Sequence, residues 1–179
     1  MGRSPQPVEI YYYPKKATGR ASRRLQTVET VVTNIVDAPD AVGRVTLTDE
    51  SAVDDAAIGD LTRLGYTAFQ AGRVDEARTV FEALVTAGRA DAFVHSMLGT
   101  IMLGAHELDG ALKQFEAALA IDPDELPAMV YRAEIRLTKR RTARAVADLE
   151  RAITLGTASD PFVARAKKLL RLARANRTA

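Results

Sequence analysis

Over its last two thirds the chain sets apolar residues at helical spacing, in short blocks separated by polar turns. The blocks recur with a fixed period of 34. Ala77 and Phe81 fall over Ala111 and Phe115, and then over Ala145 and Leu149. The same step relates Leu64-Gly65, Leu98-Gly99 and Arg132-Ala133, relates Leu84, Ala118 and Ala152, and carries Pro127 onto Pro161. A unit of this length holds two helices and cannot bury its apolar face alone, so it must stack on its neighbours. The pattern predicts an all-α chain with three helical hairpins, 58–91, 92–125 and 126–159, followed by a last helix from 160 to 179.

Residue size follows the same register. Gly65, Gly99 and Ala133 are small where the two helices of a unit cross, and Ala77, Ala111 and Ala145 serve the facing helix in the same way. Phe81, Phe115 and Leu149 are expected to fill the space between one unit and the next. Gly72 and Gly104 fall where the first helix turns into the second, so both are predicted to supply a left-handed residue. No proline occurs between 40 and 122, and Pro123, Pro127 and Pro161 fall at unit junctions, where they do least harm. Asp160-Pro161 reads as a helix start. In the last helix Phe162, Ala166, Leu169, Leu170 and Ala173 share one face, while Lys167, Lys168, Arg171 and Arg174 share the other. One apolar and one solvated side is what a capping helix needs.

The positions resemble the tetratricopeptide repeat, whose signature W-x₂-L-G-x₂-Y…A-x₃-F…P has this period. No Trp opens a unit, only the second ends on the expected proline, Pro123, and the third carries Arg132 and Leu149 at two signature positions. The resemblance implies a right-handed helical-hairpin solenoid whose concave face is lined by the first helix of each repeat. The residues it points into that groove include Arg63, Tyr66 and Phe69 from repeat one, with Thr62 and Gln70. Repeat two supplies Phe93, Met97, Thr100 and Leu103, with Ser96; repeat three supplies Val130, Tyr131 and Leu137, with Glu134 and Thr138. Such a trough would take a client protein or peptide with apolar anchors. With both Tyr66 and Tyr131 facing it, truncating the pair is expected to abolish binding at little cost in stability. The carboxylate-clamp positions of the family hold Thr62, Tyr66, Met97, Pro127 and Tyr131, so binding of an acidic chaperone tail is not expected.

"LGYTAFQAGRVDEARTVFEAL" (64–84) and "AEIRLTKRRTARAVADLERAI" (133–153) resemble, more narrowly, the first and third repeats of the class II chaperones of type III secretion. Those bind translocator proteins, and they carry an N-terminal helical extension, three repeats and a short C-terminal helix. That resemblance implies a client peptide in the groove, a homodimer through the N-terminal region and a cytoplasm of bacterial type. A generic assembly scaffold or adaptor, docking through its basic tail, is the alternative.

Charge adds a second layer. The net charge of +2 divides into +5 over residues 1–24, −7 over 25–62, −5 over 63–125 and +9 over 126–179. In "YYYPKKATGRASRR" (11–24), Tyr11, Tyr12 and Tyr13 stand beside five cations, in a tail whose prolines and missing periodicity read as disordered. The tyrosines are read as anchors that dock the tail on a partner or a neighbouring subunit. Stacking on nucleic acid would use the same residue types, but the tail is short and the chain lacks a continuous basic face before its C-terminal third. Residues 25–57 form an extension expected to pack on repeat one. Leu25, Val28, Val32 and Ile35 have helical spacing, whereas the Val/Thr density and "DAPDAVG" suit a hairpin. In repeat three "KRRTAR" (139–144) stands in place of the glycine turn and could meet an acidic partner.

Catalysis finds no support. His95 and His106 are the only imidazoles; His95 replaces the signature Trp and is expected to pack, and His106 lies in a turn. "HELD" (106–109) is not a zinc-binding helix motif, and "DPDE" (122–125) lacks the layout of a calcium loop. No phosphate loop, dinucleotide fingerprint or nucleophile elbow occurs. The reading is therefore a non-enzymatic binding module with no cofactor or metal. The chain has no cysteine, no stretch long and apolar enough to span a membrane and no secretory leader, which fits a cytoplasmic protein. Gln6 also breaks a myristoylation motif.

Overall fold

The computed structural model describes residues 55–175, which form helices α1 Asp55–Gln70, α2 Val74–Thr86, α3 Ala92–Gly104, α4 Leu108–Ile121, α5 Leu126–Thr138, α6 Thr142–Leu155 and α7 Pro161–Ala175. No strand occurs among the described residues. The tail tyrosines and the helix-or-hairpin question over residues 25–54 lie outside them. Consecutive helices pair as α1–α2, α3–α4 and α5–α6, and α7 packs on both α5 and α6. This is the expected all-α, right-handed solenoid of three repeats and a cap.

A left-handed residue closes each first helix, at the same place in every repeat: Gly72 (φ 77°), His106 (φ 62°) and Arg140 (φ 57°). The amides that follow reach back across the turn. Arg73 N–H donates to Ala68 O at 2.9 Å, Glu107 N–H to Met102 O at 2.9 Å and Arg141 N–H to Arg136 O at 2.7 Å. Carbonyls left over at the helix end are thereby satisfied. Gly72 behaves as expected. Gly104 does not: it is the last residue of α3, and the left-handed position shortly after it belongs to His106. Gly88 (φ 67°) repeats the device at the end of α2.

Helix pairs close on a small residue facing a large one. A Cβ on Gly65 would lie 2.9 Å from the Phe81 ring, and one on Gly99 would lie 2.8 Å from that of Phe115. Both rings are fully buried. The third repeat meets the same demand with Ala133 and Leu149, both buried, giving back on the second helix the volume added on the first.

Repeat three also replaces apolar packing with charge. Arg132 and Arg136 occupy the repeat positions of Leu98 and Met102, and Asp148 occupies that of Gln114. Asp148 is buried and accepts from Arg132 at 2.8 and 3.1 Å and from Arg136 at 2.7 Å. A carboxylate withdrawn from water is stable here because both its oxygens are occupied by guanidinium donors.

Stacking gives the array its curvature. α3 packs against α5 and α5 against α7, whereas α2 with α4 and α4 with α6 do not pack to that extent, and Tyr66 of α1 meets Phe93 of α3. First helices therefore lie closer together than second helices, which puts α1, α3, α5 and α7 on the concave side. At the C-terminal end the Asp160 carboxylate caps α7 by accepting from Phe162 N–H at 2.7 Å. Phe162, Val163, Ala166, Leu170 and Ala173 are buried, Leu169 is half-buried, and Lys167, Lys168, Arg171 and Arg174 are exposed.

Candidate functional site

The concave face divides into a rim and a floor. Along the rim, Arg63 is exposed, bonded to Asp60 one turn back, and Tyr66, Phe69, Phe93, Leu103 and Leu137 are half-buried. Phe93 of α3 sits between two rings, edge-on to Tyr66 of α1 at 5.8 Å and to Phe81 of α2 at 6.4 Å. The Tyr66 hydroxyl accepts from Gln70 Nε2 at 3.0 Å, and burial raises its pKa.

Met97, Thr100, Val130 and Tyr131 form the floor, with 4%, 7%, 0% and 2% of their surface exposed. They are not open anchors as the sequence suggested. Met97 belongs to a core built from α1–α3, and Val130 to a second core built from α4–α7. The Thr100 hydroxyl turns back to Ser96 O at 2.8 Å. Tyr131 stacks on Phe115 at 5.7 Å, meets Phe162 edge-on at 5.7 Å and carries the Arg165 guanidinium 5.3 Å above its ring. Burial pushes its phenol up to about 12. Removing such a ring costs roughly 3–5 kcal/mol, so the expected insensitivity of stability to Tyr131→Ala does not hold.

Arg165 is not among the residues that the sequence points into the groove. It donates to Glu134 Oε2 at 2.7 and 3.2 Å, tying α7 to α5 across the concave face. The repeat register is the signal that finds it, because Arg165 stands one full period after Tyr131. The two histidines are placed as structural residues. His95 is half-buried, with Nδ1 2.7 Å from Gln114 Oε1, and His106 occupies the left-handed turn. Of the basic run, Lys139 pairs with Asp109, Arg140 makes the turn, and Arg144 is exposed.

Further ion pairs stitch successive repeats. Arg78 of α2 donates to both oxygens of Glu107, at 2.6 and 3.0 Å, and Arg151 of α6 reaches Asp124 at 2.8 Å. The Arg78 hydrogen bond holds the Glu107 carboxyl below its usual range, and that of Lys139 does the same for Asp109. Among the described residues no group of three or more His, Asp and Glu is placed to hold a metal ion, and no helix is long and apolar enough to cross a membrane.

The tetratricopeptide repeat model matches residues 61–93 and 96–164, more than half of the chain. The chain belongs to the tetratricopeptide repeat family. Several solved structures share its fold. The type III secretion translocator chaperone SycD of Yersinia enterocolitica is 22% identical with a TM-score of 0.63, over 71% of this chain and 90% of that one. PcrH in complex with the chaperone-binding region of PopD is 24% identical with a TM-score of 0.63, over 70% and 97%; PcrH is a protein of Pseudomonas aeruginosa. The first tetratricopeptide module of Spaghetti, bound to an HSP90 peptide, is 19% identical with a TM-score of 0.62, over 71% and 98%. No curated protein sequence matches the chain significantly. At these identities the structural likeness speaks for the repeat architecture, which the fixed period, the left-handed turns and the glycine–phenylalanine contacts carry independently.

Proposed function

We propose that this array is a non-enzymatic protein-binding module, a chaperone or adaptor, that holds an apolar segment of a client polypeptide against its concave face. The half-buried rim carries the proposal: Tyr66, Phe69, Phe93, Leu103 and Leu137 offer apolar surface along the inner side of a scaffold built from the first helices. Each anchor buried on such a surface contributes about 1.5–3 kcal/mol. After the cost of ordering the peptide, two or three anchors give an affinity near the micromolar range, from which a client can be released. The narrower reading is a type III secretion translocator chaperone. It is supported by the likeness to SycD, solved also with a peptide of the translocator YopD, and to PcrH, in complex with the chaperone-binding region of PopD. An acidic chaperone tail suits the surface less well, because Thr62, Met97, Pro127 and Tyr131 offer it no cation.

The reading is tested with the rim rather than the floor. The chaperone-binding region of PopD, fluorescently labelled, is titrated against the full chain and against Tyr66→Ala with Leu137→Ala. Saturable binding, weakened about tenfold or more in the double variant, supports a translocator-type client. Should that probe fail to bind, capture of partners from the source organism, with the double variant as control, decides between an adaptor with another client and no groove function. Equal recovery of every partner by the two proteins would overturn the groove reading.

A further inference from the structure

We infer that the outer edge of repeat three, where α5 turns into α6, docks a short acidic polypeptide segment through Lys113, Arg140, Arg141 and Arg144, apart from the concave face. Ion pairing is the first observation. Every Lys and Arg between residues 55 and 107 has a carboxylate: Arg63 has Asp60, Arg73 has Glu76, Arg78 has Glu82 and Glu107, and Arg89 has Asp55. Lys113, Arg140, Arg141 and Arg144 are exposed and make no ion pair among the described residues. They also lie together. The Lys139 hydrogen bond holds the Asp109 carboxyl below its usual range, and the charges of Arg141 and Lys113 add to the effect. The start of α4 and the α5–α6 turn thus gather three cations round one acid. Arg140 precedes Arg141 in that turn, and Arg144 follows in the first turn of α6.

The repeat register makes this charge particular to repeat three. Where repeat one has Gly72 and Glu76, repeat three has Arg140 and Arg144. The first turns of α2 and α4 carry acids, Asp75 with Glu76 and Asp109, as the positive end of a helix favours, and that of α6 carries none. Arg140 also holds a left-handed turn, at φ 57°, that suits glycine better. The three arginines therefore oppose local stability rather than serve it. Their chemistry selects the partner, because a guanidinium fork accepts a carboxylate through two parallel hydrogen bonds. None of the exposed large apolar side chains, Val74, Ile121, Leu155 and Leu172, stands in the turn or in the first turn of α6, so a membrane finds no apolar anchor there. No aromatic ring stands there for a base to stack on. Residues 63–125 alongside carry −5, with Glu107, Glu116 and Asp124 exposed. A long polyanion or a charged sheet would meet these acids, whereas a short acidic segment fits within the patch.

The test titrates a fluorescently labelled oligo-glutamate peptide of about ten residues, roughly 30 Å when extended, against the full chain at low ionic strength. Docking at this edge predicts saturable binding that falls with added salt. It is weakened about tenfold in Arg140→Gly with Arg141→Ala and Arg144→Ala, and the same triple variant unfolds at a midpoint no lower than the parent's. Removing three other exposed cations, Lys167→Ala with Lys168→Ala and Arg171→Ala, leaves the affinity within about twofold. Absence of binding to the parent overturns the inference. So does equal weakening by the two triple variants, because net charge alone then accounts for it, and so does a lower midpoint in the first, because the arginines are then structural. Tighter binding of a mixed-sequence RNA or of phosphatidylserine vesicles through the same arginines also overturns it and assigns the edge to that partner. Tyr66→Ala with Leu137→Ala should bind the oligo-glutamate as the parent does; weaker binding there would place the peptide on the concave face instead. Failure at this edge leaves the groove reading to its own peptide titration.

Discussion

At positions 65, 99 and 133 the absence or presence of one methyl group sets how closely two helices approach. Gly99 leaves room for the Phe115 ring, which a Cβ would meet at 2.8 Å, and Ala133 is accommodated because Leu149 stands where the ring would be. Repeat three thus serves as a natural double variant of repeat two. Gly99→Ala alone should destabilise the fold by about 1–3 kcal/mol through overpacking. Phe115→Leu alone should also destabilise, by loss of ring volume. Combined, the two should cost clearly less than their sum, an interaction of about 1 kcal/mol or more in a denaturant-unfolding cycle. Additive costs would mean that the contact at position 99 does not decide the crossing. This much was legible in the sequence, because a repeat displays the same contact three times and lets paired changes be read against one another. The fate of Tyr131 was not. Its neighbours Phe115 and Phe162 come from α4 and α7, distant in the chain. Position within the repeat says only which way a side chain leaves its helix, not what closes over it.

Single elements show where turn chemistry departs from its usual residue. The chain needs a left-handed residue after α1, α3 and α5, yet only the first is glycine; His106 and Arg140 adopt φ 62° and 57° with a Cβ in place. An L-residue in that conformation costs about 1–2 kcal/mol relative to its preferred one, partly offset by the extra freedom glycine has in the unfolded chain. Arg140→Gly should therefore stabilise by about 0.5–1 kcal/mol, seen as a higher denaturation midpoint. An unchanged or lower midpoint would show that Arg140 makes compensating contacts. Reading glycine as the marker of the turn puts the signal at Gly104, whereas the repeat period, counted from Gly72, puts it at His106. Period proved the better guide than residue type.

The same lesson extends to the buried triad of α5 and α6. Arg132 looks like a departure from the repeat signature until its partner Asp148 is found in the next helix. Asp148→Ala leaves Arg132 and Arg136 facing each other half-buried and should cost about 3–5 kcal/mol. Installing all three residues of repeat two, Arg132→Leu, Arg136→Met and Asp148→Gln, should cost far less or stabilise, because an apolar core of similar volume needs no desolvation of charge. Thermal unfolding of the single and triple variants tests this. Equal losses in both would mean that the ion pairs themselves, and not the filling of the space, hold α5 to α6.

At the scale of the whole molecule the core divides at an unexpected place. One cluster joins α1, α2 and most of α3, and the other joins α4 through α7, so the division runs inside repeat two rather than between repeats. Met102 packs against both clusters, and its thioether lies 3.1 Å from where a Cβ on Gly110 would be. The division is nonetheless crossed by closely packed helices, since α3 lies along α4 with Gly99 against Phe115, His95 bonded to Gln114 and Leu103 set against the second cluster, and Arg78 reaches Glu107. In a solenoid each unit contacts only its neighbours, and cooperativity is the sum of such interfaces. Weakening one interface should therefore uncouple the array rather than merely lower its midpoint. Met102→Ala removes packing from both sides at once. It should reduce overall stability by about 1–3 kcal/mol, somewhat below the range for a fully buried methionine because Met102 is half-buried. It should also split amide hydrogen exchange into two groups, with α1 and α2 opening at lower free energy than α5 to α7. If exchange in the variant stays uniform along the array, the two clusters are one cooperative unit and the division has no energetic meaning. A split would matter for the concave face, since the aromatic rim of Tyr66 and Phe93 lies on one side of Met102 and the Tyr131–Arg165–Glu134 contact on the other. A segment laid along the whole trough would then bridge two semi-independent halves, and its binding would raise the protection of both.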